Sequence, residues 1–436
     1  MLQLKQAPVT GPGASFDGFR LATRTSLAVN GDRMEALAHR AARSWSDAVS
    51  EVLDQPATAD RPPTRGDDGE TDDWTTPIWW WVDQMAGPDS GLTDRMAWFW
   101  HTLLTTNAEK VSTVGLVADQ LHLLRTLGRT DLPTLVQAFV KSGALQEYLD
   151  GSYSVASNPN ENLARELMEL FTVGKGVGRP DPAIYTEDDV KAAARALAGW
   201  VVEDGKVEFR RQNAFVAPLL FLGEQAKWDT DMIIDRLCHH PAASARIAGR
   251  LWLHLVGTPL SPDDKNTLGE WWTASDLAID PLIERILNSP AFRQPESVRA
   301  RSGLEWFCAA RSAIGASSET NWSLWSTGQV PYRPPNVAGW QDYGGNNIDG
   351  RRWLSAGSLL GRTSVVWSLM DDAGLFSDQA RFPTETDEVL TACGIATPAE
   401  TTRQTLESVG DGDLSQTAVG QVRWRLALSS VEFNLI

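Results

Sequence analysis

Apolar residues recur three or four positions apart through most of this chain, and only one short stretch alternates. Leu21, Leu27, Met34, Leu37, Ala41, Trp45, Val49 and Leu53 keep that spacing for much of residues 18–54. The spacing collects apolar groups on one face of a helix, where alternation would collect them on one face of a strand. Thr93-Asp94 reads as an N-cap ahead of Met96, Trp98, Phe99, Trp100, Leu103 and Leu104, in a helix ending near Asn107. Further helices are expected around 111–127, 131–148, 160–173, 187–200, 229–238, 241–256, 263–273, 279–288, 296–314 and 355–371. Thr186 and Asp189 have capping-box spacing, and Gly199 marks the far end of their helix. Only VVEDGKVEF, residues 201–209, alternates around an Asp-Gly turn, so at most one small β-hairpin is expected. Short connections favour an all-α fold, a single multi-helix domain over 1–436.

Two stretches interrupt the helical pattern. Residues 54–73, rich in Pro, Gly and acid, read as a flexible acidic insertion. Residues 331–355 read as a covering loop, with Pro334 and Pro335 extending the backbone, Gly339 allowing close approach, and Trp340 and Trp353 docking it on the helices. Serine ends two helices in the same way, in PLIERILNSPAF at 281–292 and RWRLALSSVEF at 423–433, a local echo too sparse for a solenoid.

A formal net charge of −17 argues against a nucleic-acid or anionic-membrane footprint, since both need clustered Lys and Arg. Nineteen tryptophans against five tyrosines, several in clusters such as Trp79-Trp80-Trp81, Trp98-Phe99-Trp100 and Trp271-Trp272, read as helix junctions first and a carbohydrate platform second. Cys238, Cys308 and Cys393 stand too far apart for a disulfide framework or zinc knuckle. Lys5, Asp17, Arg20 and Arg24 leave no room for a signal h-region near the start, so a cytoplasmic location is expected.

The densest charge pattern is NPNENLARELMELFTVG, residues 158–174. On a helix, Glu161, Asn162, Arg165, Glu166 and Glu169 form one arc, with Asn160 just ahead of it and Leu163, Leu167, Met168, Leu170 and Phe171 opposite. Arg165 stands four residues from both Glu161 and Glu169, the spacing of helical ion pairs. Glu166 and Glu169, three apart, have the spacing by which helices offer two carboxylates to a divalent metal, and His101 is the imidazole that would complete the set. Arg165 on the same arc counts against a cation there. The 331–355 loop offers Arg333, Asn336, Trp340 and Arg352 as contacts to a sugar or acidic ligand. His239, His240 and His254 read as helix-junction and core-edge residues. No G-x-S-x-G elbow, P-loop or H-E-x-x-H helix occurs, and Gly174-Lys175-Gly176-Val177-Gly178 reads as a C-cap and turn.

FWH at 99–101, YLD at 148–150, NENLARELMELFTVG at 160–174, YTEDDVKAAARALAGW at 185–200, FLG at 221–223, HPAASARIAGRLW at 240–252, SPAF at 289–292 and PPNVAGW at 334–340 together resemble the bacterial family catalogued as domain of unknown function 1800. The resemblance implies a helical fold and, as a partner, a sulfatase-like companion; the family's own activity is not established. The family pattern reads FWH-x-H where this chain has Leu103, and His-Asp then Lys ahead of FLG where it has Gln212-Asn213 and Leu219. If those groups serve as ligands or acid–base residues in relatives, this chain keeps part of the site. Many relatives are exported.

The expected function is a non-catalytic binding or assembly role with a protein partner. Its rivals are a metal-assisted hydrolase using Glu166 or Glu169 with His101, and a carbohydrate-binding protein using its tryptophans.

Overall fold

The computed structural model of the chain describes residues 14–56, 60–65, 73–175, 184–340, 350–377, 382–411 and 413–436. Helices pack around one continuous apolar core running from Leu21 to Phe433. The chain is all-α apart from small antiparallel hairpins. The expected one pairs Trp200–Glu203 with Lys206–Phe209, placing Val201 opposite Glu208 across the Asp204-Gly205 turn. A second pairs Leu219–Phe221 with Glu224–Ala226. Its turn residues, Leu222 at φ +47° and Gly223 at φ +79°, both sit in the left-handed region. Leucine rarely goes there, which is why no turn signal shows in this stretch.

Local capping accounts for most boundaries. The 18–54 periodicity resolves into Ala14–Thr25, Gly31–Arg43 and Trp45–Leu53. Asn30 caps the second of these, and Ser44 ends it while its side chain accepts from Asp47 N–H to start the third. Ser142 likewise splits the 131–148 stretch into Leu132–Lys141 and Gly143–Tyr148. The Ser-x-x-Phe echo is the same device twice, Ser289 capping Phe292 and Ser430 capping Phe433.

Asp94 is not a cap. Helix Leu92–Leu103 starts at Gly91, and buried Asp94 instead accepts from Trp81 Nε1 at 3.1 Å and Arg125 Nε at 2.9 Å. Helix Thr75–Ala86 buries Pro77, Ile78, Trp81, Val82, Met85 and Ala86 on one face, a pattern masked in the sequence by three consecutive tryptophans. Tryptophan does mark junctions: Trp100 donates to Gly128 O, Trp272 to Ala278 O and Trp306 to Leu428 O. The deepest polar junction is ionic, with Arg95 and Arg299 flanking Glu305, all three about fully buried.

The described part of the 54–73 insertion is tied down rather than loose. Gln55 accepts from Leu92 N–H, Pro62 is buried, and Arg61 pairs with Asp119 at 2.7 Å. Residues 57–59 and 66–72 of the insertion, 176–178 of the glycine run and 341–349 of the covering loop lie outside the described residues.

Candidate functional site

The 158–174 run folds as an α-helix over Glu161–Glu166 that widens into a π-turn over Leu167–Phe171. Asn160 anchors its start. The Asn160 side chain accepts from Asn162 and Leu163 N–H, and its amide donates to Leu149 O and Asp150 O in the YLD segment. Three bonds hold the wide turn: Thr172 hydroxyl to Leu167 O, and Arg246 to both Thr172 O and Leu170 O. Burial, and then the Arg250 charge, lowers the Arg246 guanidinium to about 9. π-turns concentrate at functional sites, so this helix stays the first place to look for chemistry.

Arg165 organises the polar arc. It reaches Glu161 at 3.9 Å and Glu169 at 4.0 Å as its spacing predicts, but its closest partner is Glu187, held by two bonds at 3.0 and 2.8 Å. Glu187 opens the next helix, Glu187–Ala196, whose capping box of Thr186 and Asp189 is present as expected. Glu161 and Asn162 are exposed. Glu166 is half-buried, and burial first, then the Glu169 charge, raises its carboxyl above the usual range against the pull of Lys175 and Arg165. Burial, and then the Glu166 charge, raises the Tyr148 phenol in turn.

His101 lies in a separate, closed environment. It is 0% exposed, and Trp81, Trp98, Tyr332 and Trp340 surround its ring with centroids 4.3–5.8 Å away. Nε2 accepts the Tyr332 backbone N–H at 2.9 Å, so the neutral ring carries its proton on Nδ1. Burial lowers His101 to about 3 and keeps it neutral. The Tyr332 carbonyl takes Ala108 N–H at 2.9 Å, clamping the loop from its other side.

The sequence-derived residues therefore divide into two groups. His101, Trp340 and the loop form an aromatic lock, while Asn160, Glu161, Asn162, Arg165, Glu166 and Glu169 form an acidic face. Residues 109 and 110 bridge them, because Glu109 pairs with Arg333 of the loop and Lys110 donates to Tyr148 O at 3.3 Å. Among the described residues, no three His, Cys, Asp or Glu side chains gather closely enough to hold a metal ion. Of the loop contacts, Arg333 is packed over Trp74 and Trp325, Asn336 closes a turn on Ala338 N–H, Trp340 is 1% exposed, and Arg352 donates to Trp340 O. Arg333 and Trp340 hold the loop down, while Asn336 and Arg352 are exposed.

An exposed aromatic edge is absent from the sequence reading. Ser318–Thr327 is a three-ten helix, in which positions three apart eclipse. Asn321, Leu324 and Thr327 are buried on one edge, while Trp322 at 62% exposure and Trp325 at 47% share the opposite one. The signal was the three-residue spacing of the indoles. Helix Ala356–Asp372 packs alongside, with Gly361 against Ser326 O, and exposes Leu359, Leu360 and Trp367.

Fold and site together define a mainly helical protein with an aromatic lock, an acidic π-turn helix and an exposed tryptophan edge. No helix among its described residues is long and apolar enough to cross a membrane. The chain belongs to the family described as protein of unknown function DUF1800, whose model matches residues 20–435. No curated protein and no solved structure matches it.

Proposed function

We propose that the protein is a non-catalytic binding or assembly component whose partner, another protein, seats on the Trp322–Trp325 edge. One observation carries this: two large indoles stand eclipsed and exposed on a chain that buries most of its other tryptophans. Rigid exposed aromatics are the residues that dominate protein interfaces. Arg333, stacked over Trp74 and Trp325 at 4.8 and 5.3 Å, fixes the second indole in advance of binding. The net charge of −17 and exposed Glu319 on the same edge favour a partner with an apolar groove and a basic rim. The sulfatase-like companion is the first candidate to test.

A sugar would use the same indoles but needs free hydrogen-bonding groups beside them. Buried Asn321 and Ser323 are engaged, Asn321 with Arg311 and Asp83 and Ser323 with Thr320 O, while Glu319 and Ser326 stand exposed beside the indoles. Hydrolysis at the acidic face is the second reading, supported by the raised carboxyl of Glu166 beside Glu169, the arrangement of a general acid with a charged companion.

The test is recovery of the partner by cross-linking, followed by titration of purified components. Trp322→Ser with Trp325→Ser is expected to weaken the complex by roughly tenfold or more. Equal affinity for wild type and double variant would refute the edge. Turnover lost specifically in Glu166→Gln would move the function to the acidic face.

A further inference from the structure

Three segments distant in sequence meet at a second place on the surface. Tyr185 and Thr186 at the start of helix Glu187–Ala196, Leu222 and Gly223 in the second hairpin turn, and Arg236 and His240 line a pocket of about 260 Å³. Asp189 reaches into it but is fully engaged, accepting from Thr186 N–H, Thr186 hydroxyl and Leu222 N–H, each at 2.7 Å. These bonds hold Leu222 in its left-handed conformation and fix the pocket wall.

Asp189 keeps its negative charge, since its donors are all neutral, and Arg236 is the cation among the pocket's lining residues. Arg236 makes no ion pair or hydrogen bond among the described residues, in a chain with 56 acidic residues to 39 basic ones. Nearby acids are committed elsewhere, Glu187 to Arg165 and Asp188 to Lys191. His240 Nδ1 accepts Ala242 N–H at 3.1 Å as it caps helix Pro241–Val256, so the neutral ring carries a donor proton on Nε2. Burial and the Arg236 charge keep that ring neutral.

We propose that this pocket binds a small oxyanion, a carboxylate or phosphate group held by the Arg236 guanidinium and the His240 Nε2–H. A guanidinium presents paired donors that match either group, and the imidazole adds one directed bond. The pocket has room for a small organic acid or phosphate ester rather than a polymer. It is independent of the tryptophan edge.

Calorimetric titration of the full chain with inorganic phosphate, and separately with succinate, at low ionic strength tests the site. One saturable binding event is expected with at least one probe, and the probe that binds distinguishes phosphate from carboxylate. Arg236→Gln is expected to weaken binding roughly tenfold or more, and Arg236→Lys, which keeps the charge but not the paired donors, to fall between the two. His240→Asn keeps a cap for its helix while removing the donor, and is expected to weaken binding with an unchanged melting curve. No saturable heat with either probe, or equal affinity for wild type and Arg236→Gln, would overturn the proposal.

Discussion

Tyr332 donates its backbone N–H to Nε2 of His101 while holding a φ of +58°. A left-handed conformation costs a residue with a side chain about 1–2 kcal/mol. The imidazole acceptor, the Ala108 N–H on the Tyr332 carbonyl and the surrounding rings offset that cost and set the path of the loop.

The lock is expected to make the fold acid-sensitive. His101 has an ordinary value of 6.5 and is lowered to about 3 by burial. Between those values the unfolded chain binds the extra proton, so stability is full above 6.5 and falls as pH drops toward 3. The slope is at most about 1.4 kcal/mol per pH unit from this residue. His254, lowered by burial and by Arg299 and Arg95, adds in the same direction. His101→Gln keeps an acceptor for Tyr332 and does not titrate. Urea denaturation at stepped pH should show the slope reduced by about one proton, and an unchanged slope would rule out this role for His101.

Gly339 docks the loop on helix Leu92–Leu103. Its φ is +71°, and an added Cβ would lie 2.9 Å from Thr105 Oγ1 and 3.0 Å from Thr102 O. Gly339→Ala is expected to cost about 1–3 kcal/mol in denaturant titrations.

Glu305 accepts from Arg299 at 2.7 and 2.8 Å, pairs with Arg95, and closes the capping box on Ser302. Glu305→Gln leaves two buried guanidinium groups without their counter-ion. The expected loss is about 3–5 kcal/mol, and a loss below about 1 kcal/mol would show that the cluster carries little of the stability.

Arg165 should behave oppositely, because its ion pairs are largely solvent-exposed. Arg165→Met is expected to cost less than about 1 kcal/mol, with a difference that shrinks as salt is added.

Most helix positions between residues 111 and 287 are legible in the sequence because apolar spacing and local caps agree there, though Ser142 splits the 131–148 helix and the helix expected over 187–200 stops at Ala196, with Trp200 opening a strand. The Thr186–Asp189 box and the Asp204-Gly205 hairpin are legible for the same reason. The π-turn is not, since it depends on Arg246 arriving from helix Pro241–Val256. Nor is the partner of His101, which lies 231 residues further along the chain. Of the acidic arc, Arg165, Glu161 and Glu169 meet as their spacing requires, while Glu187, the strongest partner, belongs to another helix. The tryptophan edge escapes a search for helical or alternating periods because its period is three.

The most direct measurement places a photo-reactive side chain at position 322 in the cell of origin, with Val431, 65% exposed, as the control position. A partner seated on the tryptophan edge should give one discrete protein adduct at 322, and the purified adduct partner should bind wild type with an affinity lowered roughly tenfold or more by Trp325→Ser. An adduct pattern matching the Val431 control, or an affinity unchanged by Trp325→Ser, would contradict it.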